Sequence, residues 1–385
     1  MKTQEEKFED IYQLTHYAFQ FEQSEAYRNR LQYIVDHSKH YASYDGENLA
    51  SQIIATPLKV QFFNQTFDMT GIGFVASDPC YRGGGRIDQL MTQIIQDAKE
   101  KDVLFSYLAP FSYPFYRRYG YELIFERIAY KMPSSEWPDS KRVAGYVRRL
   151  DWTQAKPELQ AIYTASKENK HGGLLREDWW YDYKFSIQRP YYFAVYYNEK
   201  NEAEGYLVYQ IKDGIFNCAE WVCLTGNAYK SLNRYIATHK ESVREIHYEQ
   251  GYNKSNSFFM QERPIASATI RPEMMVRIID IKKFLTIFDF SNLSQSFAIV
   301  IEEDSYAPWN TGIYEVHADT QKISKVEKTT LPTLTLTVQR FTQLFLGYKT
   351  LTELAFYDFV KVEEELIAVI EAVMPTQTPV LEDYF

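Results

Sequence analysis

The sequence predicts a mixed α/β (α+β) chain of three segments, and three observations carry that reading. A strand, a glycine-rich loop and an amphipathic helix follow one another between Gly73 and Ala98. The order strand–strand–helix–strand returns between Tyr191 and Tyr248. The last hundred residues then alternate short strands with short helices, from Ser296 to Val373. Alternation of this kind builds sheets covered by helices.

Helical patterns open the chain at Glu6–Phe19 and Ser24–Val35. Extended segments follow at His40–Ser43, Leu49–Ala55 and Lys59–Phe63, with a turn at Asp45-Gly46. The apolar run Gly73-Phe74-Val75-Ala76 then leads through Ser77-Asp78-Pro79-Cys80-Tyr81 into Arg82-Gly83-Gly84-Gly85-Arg86-Ile87. From Ile87 the residues Leu90, Met91, Ile94, Ile95 and Ala98 recur at helical spacing and give one buried face. Next come a buried strand over Asp102–Leu108 and a short helix opened by Pro114. Gly120 caps that helix, and Tyr121–Phe125 continues as a strand.

The glycines therefore stand between a strand and a helix N-terminus. Main-chain N–H groups and the positive end of the helix dipole converge there, and glycine admits a ligand close to the backbone. Arg82 and Arg86 add positive charge. A diphosphate needs this combination. Two common diphosphate motifs do not apply. Gly71-Ile72-Gly73-Phe74-Val75-Ala76 spells a dinucleotide fingerprint, but its glycines precede extended chain and do not open a helix. No G-K-[ST] follows the glycine run, so it is not a P-loop.

Beyond a turn-rich break at Pro133–Ser140, a helix is expected over Pro157–Asn169. Strands are expected at Tyr191–Tyr197, Gly205–Lys212 and Phe216–Leu224, then a helix at Tyr229–His239 and a strand at Arg244–Tyr248. The junction Leu224–Tyr229 has one glycine and no arginine, so this segment is expected to scaffold and not to bind cofactor. Pro272–Leu285 crosses into the third segment. Its strands are expected at Ser296–Ile301, Thr311–Val316 and Thr333–Val338, and its helices at Gln339–Leu346, Leu351–Phe356 and Lys361–Val373.

The loop Arg82–Ile87 resembles motif A of the GNAT acetyltransferases, whose loop amides hold the pyrophosphate of acetyl-CoA. The departure is Ile87, where many members carry Gly or Ala. Phe74, Val75 and Ala76 correspond to the strand that pairs with the pantetheine arm. Phe115-Tyr116-Arg117-Arg118-Tyr119-Gly120-Tyr121 resembles the late helix and strand of the same core. Over its full length the chain resembles the enhanced-intracellular-survival type of acetyltransferase, with Asp78–Gly85, Phe115–Tyr121 and Met275–Asp280 as local matches. That resemblance implies a catalytic GNAT domain (1–140), a degenerate GNAT-like domain (141–285) and a sterol-carrier-type-2-like domain (286–385). It further implies a homo-hexamer that transfers acetyl from acetyl-CoA, without a metal, to aminoglycoside, polyamine or lysine amines.

The resemblance also assigns roles. Tyr121 would be the acid that protonates the leaving thiolate, although Tyr113, Tyr116 and Tyr119 lie close by and any of the four can simply pack. The base would be the terminal carboxylate on Phe385. Apart from the resemblance, Glu382 and Asp383 can attract a cationic substrate or can equally be solvated tail charges, and Glu22 near the first helix is a further substrate-site candidate. None of the seven histidines is placed to serve instead.

Composition sets the outer limits. A formal net charge of −9 argues against nucleic acid. It suits either a cationic substrate or plain solubility. Cys80, Cys218 and Cys223 lack the spacing of a zinc site or a disulfide framework, which points to a reducing cytoplasm. No secretory leader and no membrane-length apolar run is expected, hence no membrane partner. The 32 tyrosines and 25 phenylalanines suit aromatic pockets or subunit interfaces, and can also be compositional habit. Two other functions remain open beside the enzyme: a hydrophobic-ligand carrier and a non-catalytic acyl-CoA-binding sensor or scaffold.

Overall fold

A computed structural model describes residues 3–187, 189–252 and 267–385. In chain order the first elements are α1 (Gln4–Phe19), α2 (Glu25–Asp36), β1 (Lys39–Asp45), β2 (Asn48–Phe62) and β3 (Gln65–Ser77). They are followed by α3 (Arg86–Glu100), β4 (Phe105–Leu108), α4 (Tyr113–Arg117) and β5 (Glu122–Pro133). The middle holds β6 (Tyr146–Leu150), α5 (Trp152–Ala165), α6 (Asp178–Tyr181), β7 (Tyr192–Tyr197) and β8 (Ala203–Lys212). Then come β9 (Ile215–Cys223), α7 (Gly226–Ala237), β10 (Glu245–Gly251) and β11 (Ser267–Ile278). The last stretch holds α8 (Ile281–Ile287), β12 (Phe297–Ile301), β13 (Gly312–Val316), β14 (Ile323–Val326) and β15 (Thr333–Thr335). It ends with α9 (Val338–Phe345), α10 (Leu351–Phe356), β16 (Lys361–Val362) and α11 (Glu364–Glu371).

Local chemistry explains the boundaries. Thr3 and Glu6 form a reciprocal capping box at the start of α1, and Ser24 accepts from the Tyr27 N–H at the start of α2. The sequence suggests two strands either side of Pro57, yet β2 runs straight through it. β1 stops pairing at Lys39–Ala55, so at Pro57 β2 has β3 alone as its neighbour. An edge position tolerates the missing N–H. Phe63 and Asn64 both take positive φ in the β2–β3 hairpin, as a type I′ turn requires.

The chain divides into two compact units. The first comprises residues 1–124, 273–379 and 384–385; the second comprises 125–272 and 380–383. In the first unit β1, β2, β3, β4 and β11 lie in that order, with β3 and β4 parallel and the other pairs antiparallel. α3 packs Leu90, Met91, Ile94 and Ile95 into a core with Ile53, Ile72, Leu108 and Met275. The same unit carries a five-stranded sheet in the order β14-β13-β12-β15-β16. Arg277 of β11 is buried there; its guanidinium donates to both carboxylate oxygens of Asp304 at 2.7 and 2.9 Å and to the Tyr119 carbonyl. Gly120, at φ +81°, leaves room for it, since a Cβ at this position would collide with the guanidinium.

The second unit has the order β5-β10-β9-β8-β7-β6. β9 and β10 are parallel and pair from Ile215–Glu245 to Cys218–Tyr248. α7 sits against a core that includes Leu207, Phe216, Leu232, Ile236 and Ile246.

Candidate active site

The glycine run forms the centre of a cavity of about 730 Å3 in the first unit. Ligand pockets commonly span about 300–1,000 Å3. Of the nine residues expected to hold a cofactor, Val75, Ala76, Arg82, Gly83, Gly84, Gly85, Arg86 and Ile87 all line it. The exception is Phe74. It takes a left-handed φ of +51° where the β2–β3 register shifts, and its ring meets Phe19 edge-on at 6.0 Å. The cavity wall begins one residue later.

Gly83 and Gly85 have φ of +85° and +70°, a region closed to most side chains. Gly85 is also the N-cap of α3, and no side chain caps that end. The first N–H groups of the helix have no partner within it. A Cβ at Gly83 or Gly85 would meet nothing within 4 Å, and at Gly84 only the Tyr81 carbonyl at 3.9 Å. The loop is thus an open cradle of main-chain donors. Arg82 is exposed beside it. Arg86 is otherwise engaged: it donates to Ser43 Oγ at 2.8 Å, the Tyr44 carbonyl at 3.2 Å and Asp45 at 3.0 Å. It ties the loop to β1, while Arg82 and Arg118 also line the cavity. These residues fit a diphosphate.

Tyr121 is fully buried and does not line the cavity. Its hydroxyl donates to Ser106 Oγ at 2.7 Å, which donates in turn to the Thr70 carbonyl at 3.0 Å. Burial pushes the phenol pKa up to about 12, so it carries its proton at neutral pH. Tyr116 and Tyr119 are buried beside it.

Phe385 is buried, and it packs on β3 within the first unit. Its ring lies over Gly71, and its carboxyl carbon would be 3.4 Å from a Cβ at Gly73. The parallel pairing of β3 with β4 ends at Ile72–Leu108, just before this point. Sequence reasoning had set Gly71 and Gly73 aside with the failed dinucleotide fingerprint. The overlooked signal was two glycines two residues apart in a strand, which bare one face of it.

Glu22 is exposed in the loop between α1 and α2, flanked by Phe19 and Phe21, which stack at 5.8 Å. The expectation for Asp383 is corrected. It is fully buried in the second unit, where Arg176 Nε donates to both its oxygens at 3.0 and 3.1 Å. Trp180 Nε1 adds a bond at 2.9 Å and Lys184 one at 3.1 Å. Fully buried and held by two cations, it is not exposed to draw in a substrate. Arg176 also holds Glu220 at 2.6 and 2.8 Å, and the guanidinium keeps the Asp383 carboxyl below its ordinary range against the opposing effect of burial. Glu382 is not a solvated tail charge either. Burial raises its pKa to about 7, although the Gly251 N–H donates to it at 2.8 Å.

In the second unit the helix corresponding to α3 is α7, and its N-terminus is already occupied. Thr225 Oγ1 accepts from the Ala228 N–H at 3.2 Å and donates to Glu204 at 2.9 Å. A capped helix end beside a carboxylate is a poor phosphate site. Among the described residues no cluster of three metal-binding side chains occurs, and no helix is long and apolar enough to cross a membrane.

Comparison with known proteins agrees with this geometry. Residues 1–124 and 172–278 each match the acetyltransferase (GNAT) domain, and residues 281–382 match the sterol carrier protein domain. A structure from Enterococcus faecalis V583, a conserved protein of unknown function and probable N-acyltransferase, is 36% identical. It covers 100% of this chain and 98% of its own, with a TM-score of 0.93. A GCN5-related N-acetyltransferase from Anabaena variabilis shares the fold at 20% identity, covering 100% and 98% with a TM-score of 0.83. Eis1 from Mycobacterium abscessus does so at 16% identity, covering 100% and 99% with a TM-score of 0.80. No curated protein matches the chain. The fold and the cradle define an acyltransferase of the GNAT class, a family that uses acetyl-CoA. The chain belongs to that class, with two GNAT domains followed by a sterol-carrier domain.

Proposed function

We propose that this chain is an acetyl-CoA-dependent N-acetyltransferase of primary amines, of the aminoglycoside, polyamine or lysine type. The three functional segments on this reading are residues 1–140, 141–285 and 286–385, working as a cytoplasmic hexamer. The main-chain donors of Arg82–Ile87 would hold the pyrophosphate, with Val75 and Ala76 along the pantetheine arm. Acetyl-CoA supplies the activated thioester.

The acceptor must lose a proton, because an ordinary alkyl ammonium lies about three pKa units above neutrality, a cost of roughly 4 kcal/mol. The carboxylate of Phe385 would take that proton. The observation that carries this reading is the seating of Phe385 on β3, the strand whose end walls the cavity. Glu22, exposed between α1 and α2, would attract the ammonium. Tyr121 would return a proton to the thiolate, for which its hydroxyl must turn away from Ser106.

The test is to delete Phe385, or to extend the chain beyond it, and to measure turnover beside acetyl-CoA binding. Turnover is expected to fall about 100-fold, as misplacement of a reacting group by about 1 Å can do. Acetyl-CoA affinity should be kept. Equal turnover in the extended and native chains refutes the terminal base.

A further inference from the structure

Gly71 and Gly73 stand on one face of β3, two residues apart, and neither takes a positive φ. The backbone therefore does not demand glycine at either position. Glycine within a strand is costly, by about 0.5–1 kcal/mol relative to alanine, and marks a close approach of another group. Both positions approach the same residue. A Cβ on Gly71 would stand 2.7 Å from Cδ2 and Cε2 of Phe385, inside van der Waals contact. A Cβ on Gly73 would stand 3.4 Å from the carboxyl carbon of Phe385 and 3.8 Å from its oxygen. Ile72, between them, points to the opposite side and joins the core with Leu108, Tyr116 and Tyr121.

We infer that Gly71-Ile72-Gly73 is the seat of Phe385. Gly71 receives the ring, and Gly73 sets the height of the carboxylate above the strand. Both are positioning residues. The inference deepens the proposed reaction and rests on that reading for its catalytic consequence. A methyl group at Gly71 must push the ring off the strand by about 1 Å, a displacement of the size that costs up to about 100-fold in rate.

The test uses the full chain with Gly71→Ala, Phe385→Val and the two combined. Phe385→Val removes the ring atoms that the new methyl would strike while keeping the terminal carboxylate. Gly71→Ala should lower kcat 10- to 100-fold with acetyl-CoA affinity changed less than twofold. The double variant should recover at least several-fold over Gly71→Ala alone. A second readout needs no catalysis: carboxypeptidase A should release Phe385 faster from Gly71→Ala than from the native chain, followed by mass spectrometry.

If Gly71→Ala leaves the release rate unchanged, or the double variant shows only multiplied losses, the seat is overturned. Should Gly71→Ala speed release while deletion of Phe385 spares turnover, the seat stands and the terminal base falls.

Discussion

Replacing Gly84 by Asp is the cleanest challenge to the cofactor cradle. Among the three glycines it alone lacks a positive φ, so a side chain brings no backbone strain there. Its Cβ would approach nothing closer than the Tyr81 carbonyl at 3.9 Å, so the fold should be kept. A separation of about 5 Å between the new carboxylate and a bound phosphate sets the scale of the effect. At an effective dielectric near 20, each pair of unit charges at that distance repels by about 3 kcal/mol. One such pair weakens binding about 100-fold. Calorimetric titration with acetyl-CoA, beside a thermal melt, reads both quantities. Gly84→Ala adds the same Cβ without charge and separates bulk from electrostatics. Gly85→Asp carries an extra strain of about 1–2 kcal/mol from its left-handed backbone and should also melt earlier. Should folded Gly84→Asp bind acetyl-CoA within twofold of the native chain, the loop does not hold the phosphates.

The capped, carboxylate-flanked start of α7 predicts one acetyl-CoA per chain; equilibrium dialysis giving a second saturable site would refute this. Glu382 gives a pH signature. Its folded pKa of about 7 lies above the ordinary carboxylate value, so between roughly pH 4.5 and 7 the folded chain keeps a proton that the unfolded chain has lost. Stability from this group therefore falls as pH rises through that window. The side chain is 13% exposed, so the loss is at most about 3 kcal/mol. Glu382→Gln should stabilise the protein against urea at pH 8 and not at pH 4.5. An equal effect at both pH values would show that ionisation is not the cause.

What the sequence revealed and what it hid follow from where the information sits. Gly83 to Gly85 and the spacing from Leu90 to Ala98 are local signals, and they placed α3 and the glycine turn before it almost to the residue. The edge strands β6 and β14 were missed because they present almost no buried apolar face and so show no alternation. α5 begins a turn earlier than Pro157 suggested, with Asp151 accepting from the Gln154 N–H as its cap. The roles of Gly71, Gly73 and Asp383 depend on partners far away in the chain. Asp383 reads as a tail charge until Arg176 and Trp180 are seen around it. No local pattern encodes such a pairing.

The strand β4 has consequences for how the first unit comes into being. All four of its residues are buried, and its partner on one side is the segment Met275–Ile278. Until that segment is synthesised, β4 presents a bare row of N–H and C=O groups, an edge prone to pair with other chains. Closing so long an excursion costs about 4–5 kcal/mol of chain entropy. Nonlocal pairing of this kind also slows folding. The residues that match the first acetyltransferase domain, 1–124, are thus a unit of ancestry without being a unit of assembly. Excised on their own they lack a strand of their sheet, which is completed only after residues 125–272 have been synthesised.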